Sequence, residues 1–193
     1  MLYKVQRVPQ SRIAVTSQSE FFRPSCNPTE ALYADIEQRG CGPCCAASAI
    51  QALTGQKVSV EDIFEDVSHK LGFTEKGTVH HVLAEVISGY GLRAQAAAFG
   101  RDAIHMSLPE AVFICSVTYK FPPQGAGGHL VFLHAQVGSE VIFMDPSGWG
   151  LKHSILPADR FFSSYSGRAI RIDLPKNLPN ESCCFKTPGK NHG

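Results

Sequence analysis

The 193-residue sequence lacks a long apolar run, an excess of one charge, an internal repeat and a low-complexity block. No stretch approaches the ~18 consecutive apolar residues of a spanning helix, so no membrane span is expected. The formal net charge is +1, which leaves no field to draw nucleic acid or a lipid surface. Met1-Leu2-Tyr3-Lys4-Val5-Gln6-Arg7 carries charge where a secretory signal needs an apolar core. The expectation is a cytoplasmic protein, or one exported by a route without a conventional signal peptide. An even, well-spaced set of cysteines is also lacking. Cys26, Cys41, Cys44, Cys45, Cys115, Cys183 and Cys184 are odd in number and include adjacent pairs. That makes a poor disulfide framework and points to a reducing compartment.

What the chain does contain fits one domain with a real core: its apolar fraction is 44%. The reading is an extension over residues 1–37, a domain over 38–175, and a loose tail from 176 to 193 rich in Pro, Asn and Lys. A first helix is predicted over 42–54, because Ala46, Ala49, Ile50 and Leu53 fall on one helical face and Gly55 is a plausible stop. Ser59 and Asp62 read as a capping box opening a second helix. Thr78 is expected to start a third, running through His80–Ile87 to Gly89 or Gly91. A further helical segment is expected around Met106–Ala111, which Pro109 interrupts unless it lies in the first turn.

After that the period changes. Val112–Tyr119, Leu130–Val137, Val141–Met144 and Ala169–Leu174 are short β-branched or aromatic runs separated by turn residues. Helices first and strands second make an α+β arrangement, with helices packed on one face of an antiparallel sheet. Cys115, inside one of those runs, reads as a buried core residue.

The chemistry centres on Gly40-Cys41-Gly42-Pro43-Cys44-Cys45, which places thiols where a helix begins. Partial positive charge there, or an imidazolium nearby, lowers a thiol pKa and favours the reactive thiolate. His129 opens a strand after the glycine-rich Gln124–Gly128 stretch, and Asp145 follows the next strand. A hairpin of Leu130–Gln136 and Val141–Met144 sets His129 and Asp145 at the same edge. There an acid can fix the imidazole tautomer while the other ring nitrogen faces the thiol.

Cys41-Gly42-Pro43, Gln56–Ile63, Gly77-Thr78, Tyr90-Gly91-Leu92, Gly127–Val131 and Phe143–Gly148 together resemble the C39-like cysteine peptidases. These are papain-fold enzymes related to bacteriocin leader-processing domains. The resemblance covers about residues 38–150. It implies a papain-like fold in which the cysteine helix packs on the sheet carrying His and Asp, with a substrate cleft between. It also implies Cys41, His129 and Asp145 as the catalytic residues and a peptide or protein as the substrate partner, with no cofactor and no metal.

Two registers stay open. Cys41 occupies the family position, whereas Gln38 six residues before Cys44 also resembles the papain pattern of oxyanion glutamine and nucleophile. Cys44 is therefore the alternative nucleophile, with Cys45 a weaker third. Gln38 is the oxyanion donor of choice and Gln18 the alternative if Cys41 attacks. Three functions compete: a cysteine peptidase, a glutamine deamidase or acyltransferase using the same triad, and a catalytically idle binding module. Other signals are weaker. Adjacent His80 and His81 point apart on a helix and do not converge on an ion. Cys41-x-x-Cys44 lacks the second pair a zinc site needs and the preceding strand of a thioredoxin-like site. Trp149 either lines the cleft or folds over the hairpin. The oligomeric state is not legible.

Overall fold

The computed structural model describes residues 39–74, 77–108, 110–118, 128–146 and 155–174. The proposed extension and tail lie outside these, as do Gln18, Gln38, Trp149, Cys26, Cys183 and Cys184.

Three helices come first. Helix α1 spans Cys41–Thr54 and ends at Gly55, whose φ of 74° is left-handed and whose N–H bonds the Gln51 carbonyl. A residue with a side chain is strained there, so glycine makes the stop. Helix α2, Val60–His69, begins at the expected capping box: Ser59 Oγ accepts from the Asp62 N–H and the Asp62 carboxylate accepts from the Ser59 N–H. Strands β1 (Phe73–Thr74) and β2 (Gly77–Thr78) form a small hairpin. Helix α3 follows, His80–Gly89.

The remainder builds the sheet: β3 (Ala94–Ala98), α4 (Arg101–Ser107), β4 (Ala111–Thr118), β5 (Gly128–Val137), β6 (Glu140–Met144), β7 (Ile155–Pro157), α5 (Ala158–Phe162) and β8 (Tyr165–Asp173). The six large strands are antiparallel in the order β3-β8-β4-β5-β6-β7. The fold class is α+β, as the sequence predicts.

Both faces of the sheet are covered. Val112, Ile114, Leu130 and Phe132 pack with Ile50, Ile63, Leu83 and Ile87 of α1, α2 and α3. Phe113, Cys115, Val131 and Leu133 face a second cluster with Ile104 of α4 and Phe161 of α5. Burial on both sides explains why β4 and β5 read as continuous apolar runs rather than alternating ones. Cys115 is fully buried, as expected. Helix α1 has almost no exposed side and lies against β5, flanked by α2 and α3.

Three expectations need correction. The fourth helix lies over Arg101–Ser107, not Met106–Ala111. It ends before Pro109, which could not donate a ladder hydrogen bond, and Ala111 already belongs to β4. Thr78 does not cap α3; Val79 is the cap residue and offers no side-chain bond. The helices do not all lie on one face of the sheet: α4 and α5 cover the face opposite α1, α2 and α3, because both faces of β4 and β5 are apolar. No helix among the described residues is long and apolar enough to cross a membrane.

Candidate active site

The site begins with how α1 starts. Pro43 stands in its first turn, where a missing N–H costs nothing. The first bond in the turn runs from the Cys44 N–H to the Gly40 carbonyl, 2.9 Å. Cys41 is thus the first helical residue, at the positive end of the helix dipole. The Gly42 N–H reaches it from the helix and the Leu130 N–H from β5.

Gly42 is required by its neighbour. A Cβ built there would lie 2.6 Å from Thr78 Oγ1. Thr78 is buried and donates its hydroxyl to the Arg39 carbonyl at 3.3 Å. The β1–β2 hairpin therefore holds the turn that enters α1. Two sequence signals far apart, Cys41-Gly42-Pro43 and Gly77-Thr78, are one contact in space. Sequence reasoning noted both motifs and missed their joint role.

The partner groups come from the β5–β6 hairpin. Val137 pairs with Glu140 across a turn whose Gly138 has a φ of 61°. Phe132 pairs with Met144, so the start of β5 and the end of β6 share one end of the sheet. His129 stands opposite Val117 of β4, near that end. Its Nε2 and Asp145 Oδ1 are 2.7 Å apart, and both residues are buried. The second ring nitrogen is left for Cys41, whose sulfur is hydrogen-bonded to His129. One turn further along α1, Cys45 Sγ donates to the Leu130 carbonyl at 3.4 Å, fastening the helix to the same strand.

Electrostatics separates the thiols. Burial acts to raise the Cys41 pKa, but the hydrogen bond and charge of His129, with the Leu130 and Gly42 N–H groups, outweigh it and leave the pKa lowered. Burial acts to lower the pKa of His129. The Asp145 hydrogen bond and the Cys41 sulfur overcome that and push it up to about 9. Each member of the pair thus favours the charged form of the other. Burial raises the other described thiols, Cys44, Cys45 and Cys115. Cys41 is also the only one of the four with partial exposure.

The structure therefore brings Cys41, His129 and Asp145 together. It places Cys44 and Cys45 in the core beneath α1. His80 and His81 open α3, the first half-buried and the second exposed. Among the described residues, no group of three His, Cys, Asp or Glu side chains is placed to hold a metal ion.

No protein-family model and no curated protein matches the sequence. Solved structures do match. The peptidase domain of Streptococcus ComA, a bifunctional ABC transporter involved in a quorum-sensing pathway, superposes with a TM-score of 0.55 at 19% identity. That match covers 72% of this chain and 93% of that one. A double-glycine motif protease from an AMS/PCAT transporter, solved in complex with its leader peptide, gives 0.51 at 19% identity, covering 79% and 91%. The chain shares the fold of these peptidase domains.

Proposed function

We propose that this protein is a cysteine peptidase, with Cys41 as nucleophile, His129 as its acid–base partner and Asp145 as the group that orients His129. The observation that carries this reading is the thiol–imidazole–carboxylate chain at one end of the sheet, with the thiol pKa lowered and the imidazole pKa raised. The fold shared with known peptidase domains supports it.

In this mechanism the Cys41 thiolate attacks the scissile carbonyl carbon of a peptide or protein. Charge develops on the carbonyl oxygen, where Gln38 or Gln18 would donate a hydrogen bond. The tetrahedral intermediate collapses to a thioester as the His129 imidazolium protonates the leaving amine. Neutral His129 then takes a proton from water, which attacks the thioester and frees Cys41. Asp145 keeps its carboxylate on Nε2 throughout, so the nitrogen facing Cys41 is the one that moves protons. Cys44 has no part, being buried with its thiol held protonated.

The test is incubation of the reduced protein with a mixture of synthetic peptides, read by mass spectrometry for new termini. Cleavage that disappears in Cys41→Ala and persists in Cys44→Ala supports the proposal. Conversion of glutamine to glutamate in uncut peptides would replace it with a deamidase. Cleavage that survives Cys41→Ala would refute the nucleophile.

A further inference from the structure

Cys44 is unexplained by that mechanism. It sits three residues after Cys41 on the same helix, in Cys41-Gly42-Pro43-Cys44. Neither is in a disulfide in the structure. The two differ in every respect that governs thiol chemistry. Cys41 is partly exposed and held beside an imidazole; Cys44 is fully buried and has the Cys41 sulfur and Glu61 as its charged surroundings. This is the arrangement of an attacking thiol and a resolving thiol.

We infer that Cys41 and Cys44 form a reversible disulfide when Cys41 is oxidised by a peroxide, making the first turn of α1 a redox modification site that shuts off the nucleophile. The inference rests on the reading of Cys41 as nucleophile and adds a mode of regulation to it.

Helix geometry permits the link. Cα atoms three residues apart on an α-helix are about 5 Å apart, inside the 4.4–6.8 Å window of disulfides. Their Cβ atoms, about 5–6 Å apart, must close to roughly 4 Å. That movement is available at Cys41, the first helical residue, whose own N–H has no partner inside the helix. Its cap residue is Gly40, whose backbone adjusts without a Cβ to clash, while the Thr78 bond fixes the turn one residue earlier, at the Arg39 carbonyl. Further along a helix, the same closure would strain the hydrogen-bond ladder. Cys45, four residues from Cys41, is the rival partner, but its sulfur is engaged with the Leu130 carbonyl.

The chemistry balances. The Cys41 thiolate attacks one oxygen of hydrogen peroxide, the O–O bond breaks, and the departing hydroxide takes a proton from the His129 imidazolium to leave as water. Cys41 is now a sulfenic acid. The Cys44 sulfur attacks the Cys41 sulfur, an S–S bond forms, the S–O bond breaks, and the hydroxide leaves as water with the Cys44 proton. Two thiols have lost two electrons to one peroxide. A dithiol reductant reverses the step. Without Cys44, the sulfenic acid is open to a second peroxide and irreversible sulfinic acid.

The experiment treats the reduced 193-residue chain with hydrogen peroxide, blocks remaining thiols and digests with trypsin. Cleavage after Arg39 and Lys57 leaves Cys41, Cys44 and Cys45 on one peptide, to be fragmented for the position of the label. The expected result is a label on Cys45 alone, loss of alkylation at Cys41 and Cys44, and full recovery of both with dithiothreitol. In Cys44→Ala, or in Cys44→Ser should alanine leave a cavity that unfolds the chain, recovery is lost and Cys41 is found as sulfinic acid. A label on Cys44, a link to any other cysteine, or equal recovery in wild type and the Cys44 variants would overturn the inference. Alkylation of Cys41 before peroxide, compared with His129→Ala, tests the nucleophile separately. If that comparison holds and the link fails, only the redox site falls. Should Cys41 alkylate as slowly as buried Cys115, the nucleophile reading itself falls.

Discussion

Replacing Gly42 with alanine should damage the site from outside it. The added methyl would stand 2.6 Å from Thr78 Oγ1, 2.9 Å from its Cβ and 3.0 Å from its Cγ2. Ordinary contact begins at 3.4 Å, so the nearest pair must separate by about 0.8 Å. Thr78 cannot easily yield. It is buried, stiff at χ1 and bonded to the Arg39 carbonyl. The helix start must move instead, and Cys41 moves with it. Overpacking of this kind costs about 1–3 kcal/mol. A displacement approaching 1 Å between reacting groups costs up to about a hundredfold in rate. The expected outcome is a lower urea midpoint together with Cys41 alkylation slowed roughly ten- to a hundredfold at neutral pH. Thr78→Ala removes two of the three crowded atoms, so adding it to Gly42→Ala should restore part of both losses. A double-mutant cycle measures that coupling. A Gly42→Ala protein with wild-type midpoint and wild-type Cys41 reactivity would refute the argument.

Other consequences follow from the same structure. Asp145→Asn removes the charge that holds His129 protonated, so the rise of Cys41 alkylation with pH should move toward the ordinary thiol range and slow about tenfold at pH 7; a pH series of alkylation rates checks it. His134, buried at the irregular step in the β5–β6 register, has its pKa lowered by burial to about 4. The unfolded chain then binds more protons than the native one below about pH 6.5, so His134 should cost about 3 kcal/mol of stability as pH falls from 6.5 to 4. Across that range the urea midpoint of wild type should fall relative to that of His134→Phe, and a difference between the two that does not change with pH would refute it. Ser59→Ala breaks the capping box of α2, with an expected loss of about 1 kcal/mol and no change in Cys41 alkylation.

Helices α1 and α2 were legible because their ends carry local chemistry: Ser59 and Asp62 at one start, Gly55 at one stop. Strands β4, β5 and β6 were legible because burial on both faces selects β-branched and aromatic residues. Strand β3 was not. Ala94-Gln95-Ala96-Ala97-Ala98 has no strand former, and pairing with β8 imposes its conformation. Helix α4 buries only Ile104, too little to print a helical period.

The order of cysteine, histidine and acid was visible in the sequence, and the hairpin that joins His129 to Asp145 could be drawn from it. The choice between Cys41 and Cys44 could not. Residues three apart share a helix face, so periodicity treats them alike. What separates them is tertiary: His129 and the Leu130 N–H at Cys41, core packing and Glu61 at Cys44. The role of Thr78 was hidden for the same reason, since a contact 36 residues from Gly42 leaves no local pattern.

The most direct measurement is the alkylation rate of every cysteine in the reduced protein, by limiting iodoacetamide from pH 5 to 9 with peptide mapping. The account predicts rapid labelling of Cys41 well below the ~8.5 pKa of a free thiol, abolished in His129→Ala, with Cys44, Cys45 and Cys115 slow throughout. Fast, His129-dependent labelling of Cys44 instead, or uniform slow labelling indifferent to His129→Ala, would contradict it.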